Sequence, residues 1–397
     1  MKVLVIGAGV GGLAAARGLL AAGHDVEVHE RGPALRTSGA ALTLWANGTG
    51  ALTALGASLD GVGAPIDVLE QRDASGRTLV SVDTAHAARR YGLPNISLPR
   101  RRLVERLAAG LPDGTVAFGR ACTGVAHDAG GVRAEFADGA TATGDMLVGA
   151  DGARSIVRRT LWGRDPAEPS GWATWQGLSR VPIDVVAGRT GLLINGPEGV
   201  CGLMPAGEDL LQWWFDRRWT PGEPEPPSVL DDLRARFGHW AAPVPQVLAS
   251  VADEEIEFFP HHRHRVPDVW GEGRCTLVGD AAHTMPPTQA QGANQALEDA
   301  WALSRVLAEG EPADVPAALR RYERGRSRKA ARIARVAATE ATNAHPAPLT
   351  RLLPDRFVSW AYTRWLASIS DYLAADGAAR RAGARRAGAR RTGARRP

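Results

Sequence analysis

Apolar and polar positions follow several distinct rhythms along this chain. Residues 3–6 (VLVI) form a short unbroken apolar run, the pattern of a strand buried on both faces of a parallel sheet. The turn GAGVGG follows, and LAAARGLLAAG then reads as a helix closed by Gly23. DVEVHE (25–30) predicts the next strand, so the chain opens with a βαβ unit. LTLWANGTGALTALG (42–56) predicts a partly helical stretch, and RRRLVERLAAGL (100–111) an amphipathic helix. VRAEFADGATATGDMLVGADG (132–152) predicts a hairpin leading into a strand that ends at Asp151.

Between about 170 and 260 the texture changes. WATWQGLSRVPI, TGLLINGPEGVCGLMP and DLLQWWFDRRW alternate like strands, carry aromatics and are separated by Gly and Pro. They predict an antiparallel sheet in a second unit, with DDLRARFGHWAAPVPQVLASV (231–251) supplying helices that lie on it. CTLVGDAAH (275–283) returns to buried-strand texture, and 294–310 and 318–344 predict long helices.

Composition removes whole classes of protein. With 397 residues, 44% hydrophobic and 23% charged, the chain is neither disordered, collagenous nor a disulfide mini-scaffold. No run of eighteen apolar residues predicts a membrane span, and the opening MKVLVIGAG lacks the features of a secretion signal. Cys122, Cys201 and Cys275 are distant and odd in number, as expected of reduced thiols in a cytoplasmic protein. The net charge of +4 conceals an uneven distribution, because residues 377–397 hold eight Arg and no acid. Without them the body carries about −4, which does not predict a nucleic-acid binder. That tail repeats ARR(A/T)G, has no aliphatic or aromatic side chain larger than Ala, and predicts disorder.

The chemistry begins at Gly7-x-Gly9-x-x-Gly12, which follows a predicted strand and opens a predicted helix. Gly7 permits a tight turn, Gly9 lets a pyrophosphate approach the backbone, and Gly12 allows close helix–sheet packing. Glu30 ends the second strand, placed to accept hydrogen bonds from an adenosine ribose. This predicts dinucleotide binding and leaves FAD and NAD both open. Two further segments decide between them: LVGADGARSIVR (147–158) and CTLVGDAAHTMPP…QGANQALEDA (275–300). With these three motifs in order, the chain resembles the FAD-dependent aromatic monooxygenases, the p-hydroxybenzoate hydroxylase-like flavoproteins, over about residues 1–345.

The resemblance implies an α/β fold: a Rossmann-like FAD-binding domain with an inserted antiparallel-sheet substrate domain and C-terminal helices. The expected division gives 1–71, 99–168 and 266–345 to FAD binding and 72–98 and 169–265 to the substrate sheet. A helical segment (346–376) and the Arg-rich tail follow. By the same resemblance Gly7, Gly9, Gly12, Glu30 and Arg31 hold the ADP-ribose. Arg100 reaches the FAD phosphates, with Arg101 and Arg102 as alternatives, and Val125 lies near adenine. Asp280 contacts the ribityl chain, and Gly292, Ala293 and Asn294 face the pyrimidine edge of the flavin. Where the family has Gly-Gln-Gly, this chain has Ala290-Gln291-Gly292, and Ala restricts the backbone.

Within the family the chain resembles the FAD-dependent urate hydroxylases and the related salicylate and hydroxybenzoate hydroxylases, through GAALTLWANG, SGWATWQGL and GLMPAG…WWFD. The polar urate-site groups do not carry over: Val200 stands for Arg, Gln212 for Tyr and Thr288 for Asp. Trp172, Trp175, Trp213 and Trp214 are on offer instead, with Gln212 and Trp214 on one face of their strand and Trp213 on the other. The expected pocket is lined by Trp175, Gln176, Val200, Gln212, Trp214 and Thr288, with a flat apolar aromatic as substrate. No catalytic base is assignable, and Gln176 and Gln212 are the candidate orienting groups.

The implied reaction uses NADH or NADPH as transient co-substrate and O₂, with oxygen transfer from a flavin C4a-hydroperoxide to hydroxylate or epoxidise the aromatic. No second dinucleotide motif is visible, since GPEGVCG (196–202) reads as a hairpin. HHRHR (261–265) interleaves Arg with His, so a solvated or acid-paired loop is expected there and no metal. His283 reads as structural. The expected state is monomer or homodimer, with no nucleic-acid or membrane partner. A silent flavoprotein that binds and protects a reactive metabolite is the alternative. A flavin halogenase is disfavoured because the only Lys are Lys2 and Lys329.

Overall fold

The computed structural model describes residues 1–36, 39–181, 188–308, 314–339 and 353–375. In chain order its elements begin with β1 (Lys2–Ile6), α1 (Val10–Ala21), β2 (Asp25–His29), β3 (Ala41–Leu44), α2 (Ala46–Ala54), β4 (Ala64–Pro65), β5 (Val68–Asp73) and β6 (Thr78–Asp83). There follow α3 (Ala85–Tyr91), β7 (Ile96–Pro99), α4 (Arg100–Ala108), β8 (Val116–Ala117), β9 (Cys122–His127), β10 (Val132–Phe136), β11 (Thr141–Gly144), β12 (Met146–Gly149) and α5 (Ile156–Trp162). The middle of the chain gives β13 (Glu168–Ser179), β14 (Thr190–Gly196), β15 (Gly199–Gly207), β16 (Leu210–Arg218), α6 (Val229–Phe237), α7 (Val244–Ser250) and β17 (Glu257–Arg263). Last come β18 (Cys275–Leu277), α8 (Asp280–His283), α9 (Gly292–Ala308), α10 (Val315–Ala337) and α11 (Asp355–Ser368).

The unbroken apolar strands build one parallel sheet in the order β18-β12-β1-β2-β8. Val3, Leu4 and Val5 are wholly buried there, as strands covered on both faces must be. Helices α1 and α9 pack closely because α1 is lined with small residues. A Cβ at Gly18 would come within 2.8 Å of Ser304 on α9 and 2.7 Å of Leu55. The βαβ opening, the hairpin read at 196–202, which turns between Gly196 and Gly199, and the helices over 231–251 all form as the sequence predicts.

The second unit is a seven-stranded sheet in the order β17-β13-β16-β15-β14-β5-β6. It is antiparallel except where β14 runs parallel to β5. β5 begins at Val68, so the boundary expected after residue 71 falls inside a strand. Period-two geometry gives the sheet two unlike faces. One buries Trp213, Phe215 and Cys201 against Phe237 and Trp240, beneath α6 and α7. The other turns toward the parallel-sheet domain: the Gln212 amide donates to the Ala41 carbonyl of β3 at 2.8 Å. Helix α11 closes this side, where Leu366 and Ile369 join Trp45, Ile66, Tyr91 and Met204 in a third apolar cluster.

Among the described residues no helix is long and apolar enough to cross a membrane. The ends of the helices expected over 294–310 and 318–344, the first part of 346–376, and the tail 377–397 lie outside the described residues.

Candidate active site

β1 delivers the chain into a turn at Gly7, which adopts φ +104° while its N–H donates to the His29 carbonyl at 2.9 Å. A Cβ at Gly12 would lie 1.8 Å from the Gly7 carbonyl oxygen, so the helix start is pressed against the turn. Gly9 differs: a Cβ there would meet nothing within 4 Å. Two glycines serve packing and the third faces open space, which is the space a pyrophosphate needs. Gly9 caps α1 without a side-chain bond and no acid sits in the first turn, so the helix's free N–H groups and positive end are available to an anion. The Glu30 carboxylate stands at the same mouth, accepting from Ala8 N–H at 2.8 Å and Gly32 N–H at 2.8 Å. Arg31, beside it, is exposed.

The second and third motifs are bolted together. β12 stops at Gly149, so Asp151 lies beyond its end. There the carboxylate accepts from Ser155 Oγ at 2.5 Å and Ile156 N–H at 2.7 Å, capping α5. Burial pushes the Asp151 pKa up against those bonds. Helix α5 then presents Arg158, wholly buried, whose guanidinium donates to the Asp280 and Ala281 carbonyls at 3.1 Å and to Asp165 at 2.8 Å. Asp280 itself is exposed, and a Cβ on Gly292 would lie 3.7 Å from its Oδ1. The acid expected at the ribityl chain therefore adjoins the N-terminus of α9.

Of the three candidate arginines, the structure separates Arg100 from the others. Arg101 and Arg102 pair with Glu208 at 2.9 and 2.6 Å. Arg100 is half-buried, and its Nε, like that of Arg101, is buried without a hydrogen-bond partner. Burial and then the charge of Arg36 lower its pKa, while Asp280 and Glu257 oppose them. Val125 is half-buried in β9, paired with Ala134. That strand runs near Asp151, whose charge adds to burial in raising the Cys122 thiol to about 11.

The loop before α9 is held by Asn294, which the sequence reading named, and by Asn47 and Gln291, which it gave no role. Asn294 Oδ1 accepts from Trp45 N–H at 2.9 Å, and its Nδ2 donates to the Thr43 carbonyl at 2.9 Å and the Ala290 carbonyl at 2.6 Å. Gln291 Oε1 accepts from Asn47 Nδ2 at 3.2 Å and Gln295 Nε2 at 3.0 Å. Gln291 Nε2 and Asn47 Oδ1 are buried without a partner. A donor and an acceptor left over beside Gly292 and Ala293 fit a polar ring edge such as the flavin pyrimidine.

Ala290 takes the left-handed conformation, at φ +47°, that glycine would take freely. Its N–H donates to the Pro287 carbonyl at 2.8 Å, which holds it there. Left-handed backbone costs an L-residue roughly 1–2 kcal/mol. Part of that relief is offset by the freer unfolded chain of glycine. Ala290→Gly should therefore raise the melting temperature slightly and leave FAD content unchanged. A clear drop in calorimetry would show that the loop does not rest in this conformation.

On the sheet face, Gln176 lies opposite Trp214, and Val200 opposite Asp216. Trp214 lies over Gly202, where an added Cβ would stand 1.9 Å from its ring. Trp175 is a correction. It lies opposite Phe215 on the other face, 5% exposed, with the Arg217 guanidinium 4.2 Å from its ring centroid. Odd positions of β13 point to the helices, so Trp175 is core and not a pocket wall. Thr288 is half-buried, and its hydroxyl donates to the Ala337 carbonyl at 3.4 Å.

HHRHR is no solvated loop, since residues 261–263 end β17, but the acid pairing expected there is present, with the Arg263 guanidinium 3.6 Å from Glu168. His261 ends up buried in β17 and His264 is buried beside Trp162, with desolvation lowering the His264 pKa to about 4. Among the described residues no cluster could hold a metal ion. His283 is structural, its Nε2 2.6 Å from Asp299.

This geometry has close counterparts. Residues 1–337 match the family model described as the FAD binding domain. The chain is 34% identical to the aurachin C monooxygenase/isomerase of Stigmatella aurantiaca, over 83% of this chain and 86% of that one. It is 32% identical to the FAD-dependent urate hydroxylase of Klebsiella pneumoniae, over 81% and 85% respectively. The crystal structure of Klebsiella pneumoniae HpxO with FAD and uric acid superposes with a TM-score of 0.84 at 29% identity, covering 93% of this chain and 97% of the other. The chain belongs to the FAD-dependent aromatic monooxygenases. FAD is its cofactor.

Proposed function

We propose that this flavoprotein uses NADH or NADPH and O₂ to hydroxylate a flat, largely apolar aromatic that carries no carboxylate. The observation that carries this reading is the sheet face itself. Val200, an uncharged side chain, lies where an anion-binding relative would place Arg, and Trp214 lies beside it. The Gln212 amide N–H donates to the Ala41 carbonyl and the Thr288 hydroxyl to the Ala337 carbonyl of α10, so each is already tied to a neighbouring element.

The residues present fit FAD. Gly9 and the start of α1 would take the diphosphate, Glu30 the ribose, Arg100 and Asp280 the phosphate and ribityl region, and Asn47, Gln291, Gly292 and Ala293 the pyrimidine edge. Bound there, FAD supplies the redox chemistry and the activation of oxygen. The protein's own tasks are orientation and exclusion of water. The cluster of Trp45, Ile66, Tyr91, Met204 and Leu366 does the second.

Urate should not be turned over. An anion entering without the Arg forfeits a charge-assisted hydrogen bond worth about 1.5–3 kcal/mol, roughly ten- to a hundredfold in affinity. Fused aromatics gain about 0.5–1.5 kcal/mol per aromatic contact beyond burial. The test is NAD(P)H oxidation with product analysis across urate, hydroxybenzoates and larger fused aromatics. Fast turnover of urate coupled to product would overturn the reading, and so would a panel in which no aromatic stimulates NAD(P)H oxidation.

A further inference from the structure

A cavity of about 460 Å³ beside β2 has no part in the scheme above. Lys2, Leu4 and Ile6 share one face of β1, and Asp25, Glu27 and His29 pair with them in register on β2. Strands β9 to β11 cover that face. The Phe136 ring on β10 lies 4.7 Å from the His29 ring, centroid to centroid, and a Cβ on Gly144 of β11 would stand 3.1 Å from Leu4 Cγ. The cavity opens between these layers, and among the described residues its walls include none of Gly7, Gly9, Gly12 and Glu30.

His29 lines this cavity and is 6% exposed, yet neither of its ring nitrogens has a hydrogen-bond partner. A neutral imidazole carries one donor and one acceptor, and burying them unpaired is costly unless something else supplies the partners. Glu27 Oε2 lies 3.7 Å from His29 Nε2, beyond hydrogen-bond reach, while Glu27 Oε1 pairs with Lys2 Nζ at 2.9 Å. Arg120 reaches Asp138 through one terminal nitrogen. An ammonium has three N–H groups and a guanidinium five, so both cations keep donors to spare. Lys2, Glu27 and Arg120 all line the cavity, two cations against one carboxylate, and the exposed Thr141 and Thr143 line it too.

We propose that this cavity binds a phosphomonoester on a hydroxylated body, a sugar or nucleoside phosphate, with Lys2, His29 and Arg120 donating to the phosphate and Thr141 and Thr143 meeting the hydroxyls. Three donor groups from three segments of chain, β1, β2 and the turn after β8, suit an anion with three free oxygens, where a carboxylate offers two. The volume is on the scale of small-ligand pockets, roughly 300–1,000 Å³, and exceeds what a bare phosphate fills. The inference is independent of the aromatic substrate proposed above.

The charged groups facing His29 are Glu27 on its own strand, Lys2 on β1 and Arg120 beyond β8, while β10 presents the uncharged Phe136. Burial lowers the His29 pKa, Glu27 opposes it, and Arg120 and Lys2 add to the lowering. A phosphate dianion seated among them adds negative charge and should raise that pKa. The experiment uses the FAD-loaded enzyme, in which the cofactor fills its own phosphate site. Calorimetry measures affinity for ribose 5-phosphate and adenosine 2′-monophosphate, with ribose and adenosine as the matched neutral probes. NMR follows the His29 ring protons, assigned by their loss in His29→Gln. At least one ester should bind tenfold or more tightly than its neutral counterpart, and its binding should raise the His29 pKa. Arg120→Gln, a change at a partly exposed side chain, should weaken that ester about tenfold and leave FAD content and melting temperature unchanged.

Preference for adenosine 2′-monophosphate assigns the site to a nucleotide, and preference for ribose 5-phosphate assigns it to a free sugar phosphate; both support the proposal. Failure of both esters to bind would overturn it, as would equal binding of the esters and their neutral counterparts. So would ester binding that leaves the His29 pKa in place, or that is indifferent to Arg120→Gln.

Discussion

Arg326→Met should cost about 3–5 kcal/mol of stability, the usual result of removing one partner from a buried ion-pair set. Arg326 is 1% exposed and sits among three carboxylates. It reaches Asp299 at 2.8 Å, Glu298 at 3.3 Å and Asp371 at 2.8 Å, and also donates to Gln295 Oε1 at 2.6 Å. Glu298 and Asp299 are wholly buried, so its removal takes the cation from beside Glu298 and leaves Asp299 with His283 alone. The damage should reach the cofactor. Asp299 also accepts from the Gly279 N–H at 2.9 Å and contacts His283 at 2.6 Å, which shapes the turn carrying Asp280. Denaturant unfolding and FAD content of the purified variant are the measurements. Wild-type values for both would show that Arg326 is dispensable.

The acid dependence carries a definite sign. Burial alone would push Asp299 up, but the charges of His283 and Arg326 prevail and hold its pKa at about 2. An unfolded Asp titrates near about 3.9. The stabilisation from Asp299 is therefore present above that value and is lost as pH falls through about 2. For Glu298 burial prevails over Arg326 and its pKa is raised, so it opposes folding once ionised. In Arg326→Met both carboxyls should shift upward. The stability gap to wild type should then be widest at neutral pH and narrow toward acid.

Much of this architecture is legible in local sequence because local physics imposes it. Four successive apolar residues at 3–6 fit a strand buried on both faces, and Gly7 and Gly12 stand where a Cβ has no room. The period-two rule placed Gln212 and Trp214 on one face and Trp213 on the other, where it is buried. The same rule was not carried across to β13, where pairing in register with β16 assigns Trp175 to the helix side. Strand register is a long-range property, and no pattern within residues 168–179 announces it. Arg158, Asn47 and Gln291 were missed for a similar reason. Each acts by closing distance between segments far apart in sequence, as Arg158 does with Asp280 across 122 positions. His261 looked like part of a charged loop because its partner Thr174 lies 87 residues away.

Gly9→Ala and Gly12→Ala should both abolish tight FAD binding, and by different routes. At Gly12 the new Cβ would stand 1.8 Å from the Gly7 carbonyl oxygen and 3.2 Å from Ala150 Cβ. The backbone cannot yield easily, since Leu13 N–H is already bonded to the Gly9 carbonyl at 3.0 Å. Overpacking of this kind costs about 1–3 kcal/mol and displaces the turn, so Gly12→Ala should lower the stability of the apoprotein as well as its FAD affinity. At Gly9 the backbone is extended, at φ −77° and ψ −173°, which alanine adopts without strain. The new methyl meets no protein atom within 4 Å. The Gly9→Ala apoprotein should therefore melt with wild type, yet lose FAD affinity by tenfold or more, the equivalent of about 1.4 kcal/mol, if the pyrophosphate crosses the turn here as proposed, because the methyl would then stand in its path. Calorimetry of apoprotein and titration with FAD measure the two effects separately. Undiminished FAD binding by Gly9→Ala would mean that the diphosphate does not cross the turn at Gly9, and the assignment of the cofactor site to this loop would fall.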